Sequence, residues 1–281
     1  MRIGAVVSTY NRSDYVRIFL RSLEQQTRRL DSVVLADDGS APDEWAAIQA
    51  LGEQSPLNVT AVQQEDRGFR LAAARNLGVR HCDCDYILML DSDLVLGAEV
   101  VAVHEELSQP GRFLLGWRSM LNEADTRELL DGPPTNLDFN GLWSRADHGG
   151  ETRLYLRYLR HALQRRLGCA RAHKPQLTGC HGSFFRSDYE AVNGFDEQFE
   201  GWGYEDDDFT RRLYRLGLHS RHTVRRARAV HMWHATRAPT PEERAQNPNR
   251  AYFYRENVPM RCERGLVQSS QPLPNGHVLC G

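Results

Sequence analysis

The chain reads as an α/β protein with a mostly parallel sheet flanked by helices. Two observations carry this. Short β-rich runs alternate with helical periodicity through the first hundred residues, and three of those runs stop in polar, mostly acidic clusters, the place where open parallel sheets hold ligands. Residues 3–8 form the first strand, and Asn11, Arg12 and Ser13 make a turn and helix start, with Ile18, Phe19 and Leu23 as the helix's inner stripe. Residues 32–36 form the second strand and end in Asp37, Asp38, Gly39 and Ser40. A helix through Trp45, Ile48 and Leu51 leads to a strand at 59–62, then to Arg67, Gly68, Phe69 and Arg70 and a helix carrying Arg75 and Asn76. The next strand, 86–90, runs into Asp91, Ser92 and Asp93.

That last ending is the most informative feature. Successive side chains of a strand point to opposite faces, so Asp91 and Asp93 meet one ligand only if the chain leaves the sheet there. Carboxylates at the end of an apolar run need positive charge, which a hard divalent cation with bound phosphates supplies. A plain turn or helix cap is the competing account of such a triplet.

Composition narrows the class. With 281 residues the chain can bury a core without staples, and 35 basic against 37 acidic residues give a net charge of -2, without the basic excess of a nucleic-acid binder. Six cysteines lack paired zinc-type spacing, and Cys82 and Cys84 lie one residue apart, so reduced thiols are expected. No apolar stretch approaches the ~20 residues that cross a bilayer, and a cytoplasmic protein is expected.

The blocks Val6-Val7-Ser8-Thr9-Tyr10-Asn11-Arg12, Asp37-Asp38-Gly39-Ser40, Ala74-Arg75-Asn76 and Asp91-Ser92-Asp93, in this order, resemble the nucleotide-sugar domain of family 2 glycosyltransferases of the GT-A fold. Gly194-Phe195-Asp196-Glu197, followed by Gly201-Trp202-Gly203-Tyr204-Glu205-Asp206-Asp207-Asp208, is similar to the acceptor-side motif of galactosyl- and N-acetylgalactosaminyltransferases, including bacterial polymerases of chondroitin-like chains. The likeness covers about residues 1–235. It implies a nucleotide-sugar half at 1–110, an acceptor and catalytic half at 111–235 and an extension at 236–281.

The resemblance also implies roles. Asp38 accepts the ring N–H of a uracil-like base, with Thr9 and Arg12 near base and ribose, and Tyr10, Arg67 and Ser92 in the same pocket. Arg75 reaches the base or diphosphate as a fixed cation. Asp93 is the direct ligand of Mn2+ or Mg2+, and Asp91 the ribose and outer ligand. A histidine from Val230-His231-Met232-Trp233-His234 completes the set, with His231 preferred because it follows an expected strand at 227–230 and His234 as the alternative. Asp206 is the base that deprotonates the acceptor hydroxyl in an inverting transfer, and Glu205 binds the acceptor or supports the loop. Trp202, between two glycines, is a stacking platform for a sugar ring. Competing accounts remain for several of these: a tight acidic turn for Asp37 and Asp38, a surface ion pair for Arg75, an ordinary core residue for Trp202, and a helix start for the 205–208 run ahead of a helix at 209–216.

Residues 111–150 are rich in Gly, Pro, Asn and Asp and lack a compact pattern. Beyond them, 153–167 forms a basic helix with an apolar stripe of Leu154, Tyr155, Tyr158, Leu159, Ala162, Leu163 and Leu167. Packing on the domain with a solvated basic face is the preferred reading; contact with an anionic membrane or a lipid-linked acceptor is the other. The family's processive synthases carry a Gln-x-x-Arg-Trp motif and membrane helices, which this sequence lacks, so one sugar per encounter is expected. The resulting expectation is metal-dependent, inverting transfer from a UDP-sugar of galactose or N-acetylhexosamine type to a saccharide or glycolipid acceptor. A nucleotidyltransferase and a non-catalytic saccharide-binding protein on a transferase fold are the alternatives.

Overall fold

The computed structural model describes residues 1–132, 137–235 and 240–268. Four strands alternating with three helices open it: β1 (Ile3–Thr9), α1 (Ser13–Glu24), β2 (Ser32–Asp37), α2 (Pro42–Gln54), β3 (Val59–Gln63), α3 (Leu71–Arg80) and β4 (Tyr86–Asp91). These four strands lie parallel in the order β3-β2-β1-β4. Strands β1 and β2 are buried along their whole length, as befits strands covered on both faces. Alternation divides their side chains: Ala5, Val7, Val33 and Leu35 pack with α1 and α2 on one face, while Val6, Val34 and Ala36 pack with α3 on the other. Helix α3 sits unusually close to the sheet. A Cβ on Gly78 would fall 2.4 Å from Val6 Cγ1, so only glycine allows the approach that drives Arg75, one turn earlier, into the interior.

The rest of the chain enlarges this sheet and adds a second. In order it forms β5 (Leu94–Leu96), α4 (Val100–Leu107), β6 (Arg112–Leu115), β7 (Ser119–Met120), α5 (Glu123–Asp131), α6 (Phe139–Arg145), α7 (Glu151–Arg166), β8 (His181–Phe185), α8 (Arg186–Ala191), α9 (Glu205–Arg215), β9 (His219–His222), β10 (Ala229–His231), α10 (Pro241–Gln246) and α11 (Pro248–Phe253). Strand β8 runs antiparallel to β4, and β6 and β9 follow it, completing seven strands. A three-stranded sheet, β5-β10-β7, stands beside it. Thus 111–150, which shows no compact pattern in the sequence, carries two strands and two helices among its described residues. The strand expected at 227–230 lies at Ala229–His231, so His231 ends it rather than following it. The helix expected at 209–216 starts at Glu205, with the acids as its first turn.

The basic helix is the largest departure. No residue of α7 is buried, and Leu156, Leu159 and Leu163 are 60%, 43% and 57% exposed. Of the expected apolar stripe Leu159, Leu163 and Leu167 are exposed, whereas Leu154, Tyr155, Tyr158 and Ala162 are half-buried and Tyr158 packs against the core, so the stripe meets the domain only in part. Among the described residues no helix is long and apolar enough to cross a membrane.

Candidate active site

Parallel register brings the strand ends together, with Thr9 beside Asp37 and Ser8 beside Asp91. Asp37 serves the turn itself: it is fully buried and accepts hydrogen bonds from the Gly39 and Ser40 amides at 3.0 and 2.6 Å. Asp38 is buried too, accepting from the Arg70 amide at 2.8 Å and from Gln64. Burial raises its carboxyl above the ordinary range, against these hydrogen bonds. Thr9 is buried with an unpartnered hydroxyl, and Tyr10 is exposed, its hydroxyl 3.4 Å from Asp66. Arg67 is exposed and pairs with Glu65 at 2.5 Å, so no contact brings it to the acidic strand ends.

At the end of β4 the chain leaves the large sheet. Ser92 is buried and its amide donates to the Ser8 carbonyl at 3.0 Å, and Asp93 leads into β5, whose Leu94 faces His231 across the ladder of the small sheet. The Met232 amide donates to the Asp93 carbonyl at 2.8 Å. This pairing sets both His231 Nε2 and His234 Nε2 against one oxygen of Asp93, at 3.2 and 3.1 Å. Arg12 Nη1 stands 3.5 Å from the same oxygen, nearer the acids than the base pocket expected for it. Burial works to raise the Asp93 carboxyl, but hydrogen bonds and charge from the two imidazoles outweigh it and hold it well below the usual range. The other Asp93 oxygen is buried without a partner. The three residues offer ligand atoms all within 4.8 Å of one another. One carboxylate and two imidazoles, with an orphaned oxygen, fit a divalent cation of the Mn2+ type, and the geometry gives no preference between the histidines.

Arg75 joins this cluster to the acceptor-side motif. It is 1% exposed and sits 2.9 Å from Asp206, 3.5 Å from Asp91 and 3.8 Å from Glu205, with its guanidinium 5.0 Å from the Phe195 ring centre. A surface ion pair is excluded. Burial opposes its charge, and the three carboxylates more than restore it. Gly179 leaves the room it needs, since a Cβ there would lie 2.3 Å from the guanidinium.

The four consecutive acids take separate partners. Asp206 accepts from Arg75 Nη1 and from the Gly179 amide, both at 2.9 Å. Asp207 meets Lys174 at 3.2 Å. Asp208, fully buried, accepts from Arg211 and Arg212 at 2.5 and 2.7 Å. Glu205 is buried with one oxygen unpartnered, and burial together with the Asp206 charge pushes it up to about 7. Ahead of them Trp202 is 60% exposed, on a loop where Gly201 and Gly203 have φ of 75° and 97°; it is no core residue. One cation escaped the sequence reading. Arg118 is half-buried, donates to Cys180 Sγ at 2.7 Å, keeps a buried unpartnered Nε, and lies in the field of Asp91, Asp93 and Asp206. It falls outside every recognisable motif, so no pattern marked it.

The sheet and its flanking helices are those of the GT-A fold. Residues 5–113 match the family described as glycosyl transferase family 2, and residues 166–235 match the family described as the N-terminal domain of galactosyltransferase. It is 28% identical to chondroitin synthase of Escherichia coli over 240 residues, which are 82% of this chain and 34% of that one. It is 29% identical to hyaluronan synthase of Pasteurella multocida over 231 residues, 76% of this chain and 23% of that one. The chain thus spans about a quarter to a third of the length of these relatives. Among solved structures, GalNAc-T7 with UDP, GalNAc and Mn2+ shares the fold at a TM-score of 0.60 and 16% identity, over 94% of this chain and 52% of that one.

Proposed function

We propose that the protein is a metal-dependent, inverting glycosyltransferase that moves one sugar per encounter from a UDP-sugar of galactose or N-acetylhexosamine type to a saccharide hydroxyl. The observation that carries the reading is the convergence of Asp93, His231 and His234 on one point, with Asp91, two residues before Asp93, linked to Asp206 through Arg75. Asp93 and the two histidines would hold Mn2+, with Asp91 beside them. When bound, such an ion neutralises the diphosphate and makes it a better leaving group. The structural neighbour bound to UDP and Mn2+ supports this donor chemistry.

The remaining roles follow from the side chains. Asp38 closes the base pocket beside Thr9, and Arg12 is poised to exchange Asp93 for phosphate oxygens. Asp206, oriented through both oxygens, takes the proton from the acceptor hydroxyl as that oxygen attacks the anomeric carbon opposite the diphosphate. Arg75 holds Asp206 in place through its guanidinium. Glu205, partly protonated near neutral pH, can donate a hydrogen bond to the acceptor, and Trp202 offers its indole face to a sugar ring. Residues 1–110 then serve the donor and 111–235 the acceptor.

Titration of the protein with UDP in the presence and absence of Mn2+ tests the reading. Binding should require the ion, and Asp93→Asn should lose most of the ion-dependent affinity. Unchanged Mn2+-dependent UDP affinity in that variant would remove Asp93 from the metal site.

A further inference from the structure

Helix α7 forms one wall of a cleft, where exposed arginines stand beside Leu154 and Tyr158 of its apolar stripe. Arg153, Arg157 and Arg160 line this cleft of about 870 Å3, and Arg171 and Lys174 stand on its other wall. No residue lining the cleft is acidic. Of these five cations only Lys174 has a carboxylate partner among the described residues, Asp207 at 3.2 Å. Arg165 is different: it donates to the carbonyls of Arg171 and Lys174, at 2.8 Å in each case, and lies 3.5 Å over the Tyr214 ring, tying the two walls together.

Gathering like charges in a concave site without counter-ions is unfavourable and focuses a positive potential there. The cleft also adjoins the acceptor-side acids. Lys174 touches Asp207, and Thr178, on the cleft wall, precedes Gly179, whose amide holds Asp206. Its lining includes the aromatic faces of Trp117 and Tyr158; Tyr158 is held by its hydroxyl to the Ser220 carbonyl at 3.2 Å, and the Trp117 carbonyl by His181 at 2.9 Å. Aromatic surface interleaved with arginines suits sugar rings that carry carboxylates, which a guanidinium can grip through two parallel hydrogen bonds. A bilayer would meet the exposed leucines on the outer side of α7 instead.

We propose that this cleft binds acidic sugar units of the acceptor, next to the acids around Asp206, so that the acceptor is a carboxylate-bearing saccharide. The inference rests on the transferase reading above and specifies its acceptor.

Calorimetric titration of the whole protein with a hyaluronan octasaccharide, and with the same octasaccharide after its carboxylates are reduced to alcohols, tests it. The acidic form should bind more tightly, with an affinity that falls as salt rises. Arg153→Gln, Arg157→Gln and Arg160→Gln combined should weaken it by at least about tenfold through loss of charge-assisted hydrogen bonds, while Mn2+-dependent UDP affinity, which also reports folding, stays as in the wild type. Equal affinity for the acidic and reduced forms, or equal affinity in wild type and variant, overturns the proposal. So does displacement of the octasaccharide by inorganic phosphate at matched ionic strength, which would mark a phosphate site, or an effect of the variant confined to phosphatidylglycerol vesicles, which would mark a lipid surface. Failure of UDP to bind the wild type is a separate result: it would sink the donor reading and leave the octasaccharide titrations to be judged by themselves.

Discussion

Replacing Glu205 by Gln should stabilise the protein, and by an amount that grows with pH. Glu205 is buried beside Asp206 and carries an unpartnered oxygen, and its carboxyl is pushed from an ordinary 4.5 up to about 7. A carboxyl raised on folding binds its proton more tightly in the native than in the unfolded chain, so stability falls as pH rises from the unfolded value through the folded one. Below about pH 4.5 the acid is neutral in both states, and Gln, of the same size and charge, should change little. Above about pH 7 the wild type holds a buried carboxylate that the variant lacks. At 1.36 kcal/mol per pH unit this span is worth roughly 3 kcal/mol, or about 1 M in the urea midpoint for a denaturant slope near 3 kcal/mol per M. Urea unfolding of both proteins from pH 4 to 8, with chelator present, measures the difference directly. A midpoint difference that stays constant across that range would refute the burial account, and a variant less stable at pH 8 would mean that the 3.8 Å approach to Arg75 outweighs desolvation.

Two further outcomes separate chemistry from architecture. Asp206→Asn keeps the side chain's shape but removes the base, so UDP affinity should stay near wild type while kcat drops by ~10² to 10⁴; a parallel loss of UDP affinity would assign Asp206 to the donor site instead. Arg75→Met leaves Asp91, Asp206 and Glu205 facing one another without their cation, and removing one side of such a buried pairing costs about 3–5 kcal/mol, visible as a lowered urea midpoint at pH 7 that recovers as the acids are protonated at lower pH.

How legible these features are in the sequence depends on what burial does to a segment. The strands β1, β2 and β4 are covered on both faces, so each must be an uninterrupted apolar run, and that run is visible. Strand β9, His219 to His222, is polar and sits at the edge of the sheet, where it contributes mainly backbone hydrogen bonds, and β5 spans only Leu94–Leu96. Neither length nor composition distinguishes such strands from loop. Helix α7 is legible only in part for another reason. Periodicity separates an apolar from a basic face, but how far the apolar face is covered depends on tethers invisible in the pattern, Tyr158 to Ser220 and Arg165 to the carbonyls of the opposite wall.

The acids proposed to act in catalysis show the same division between residue and position. Asp93 and its histidines lie more than a hundred positions apart, and only the pairing of Leu94 with His231 makes them neighbours. In the sequence Glu205 to Asp208 are four equivalent carboxylates whose crowding alone would raise at least one of them. On a helix each successive side chain is turned by a little over a quarter of a circle, so the four point four ways: one to Arg75 and the Gly179 amide, one to Lys174, one to Arg211 and Arg212. Of the four, only Glu205 is left with a buried oxygen that no partner among the described residues satisfies. A polar atom buried in that way is costly unless a partner arrives, and the partner that fits the proposed chemistry is the acceptor itself, whose hydroxyl would meet a carboxyl already carrying a proton near neutral pH.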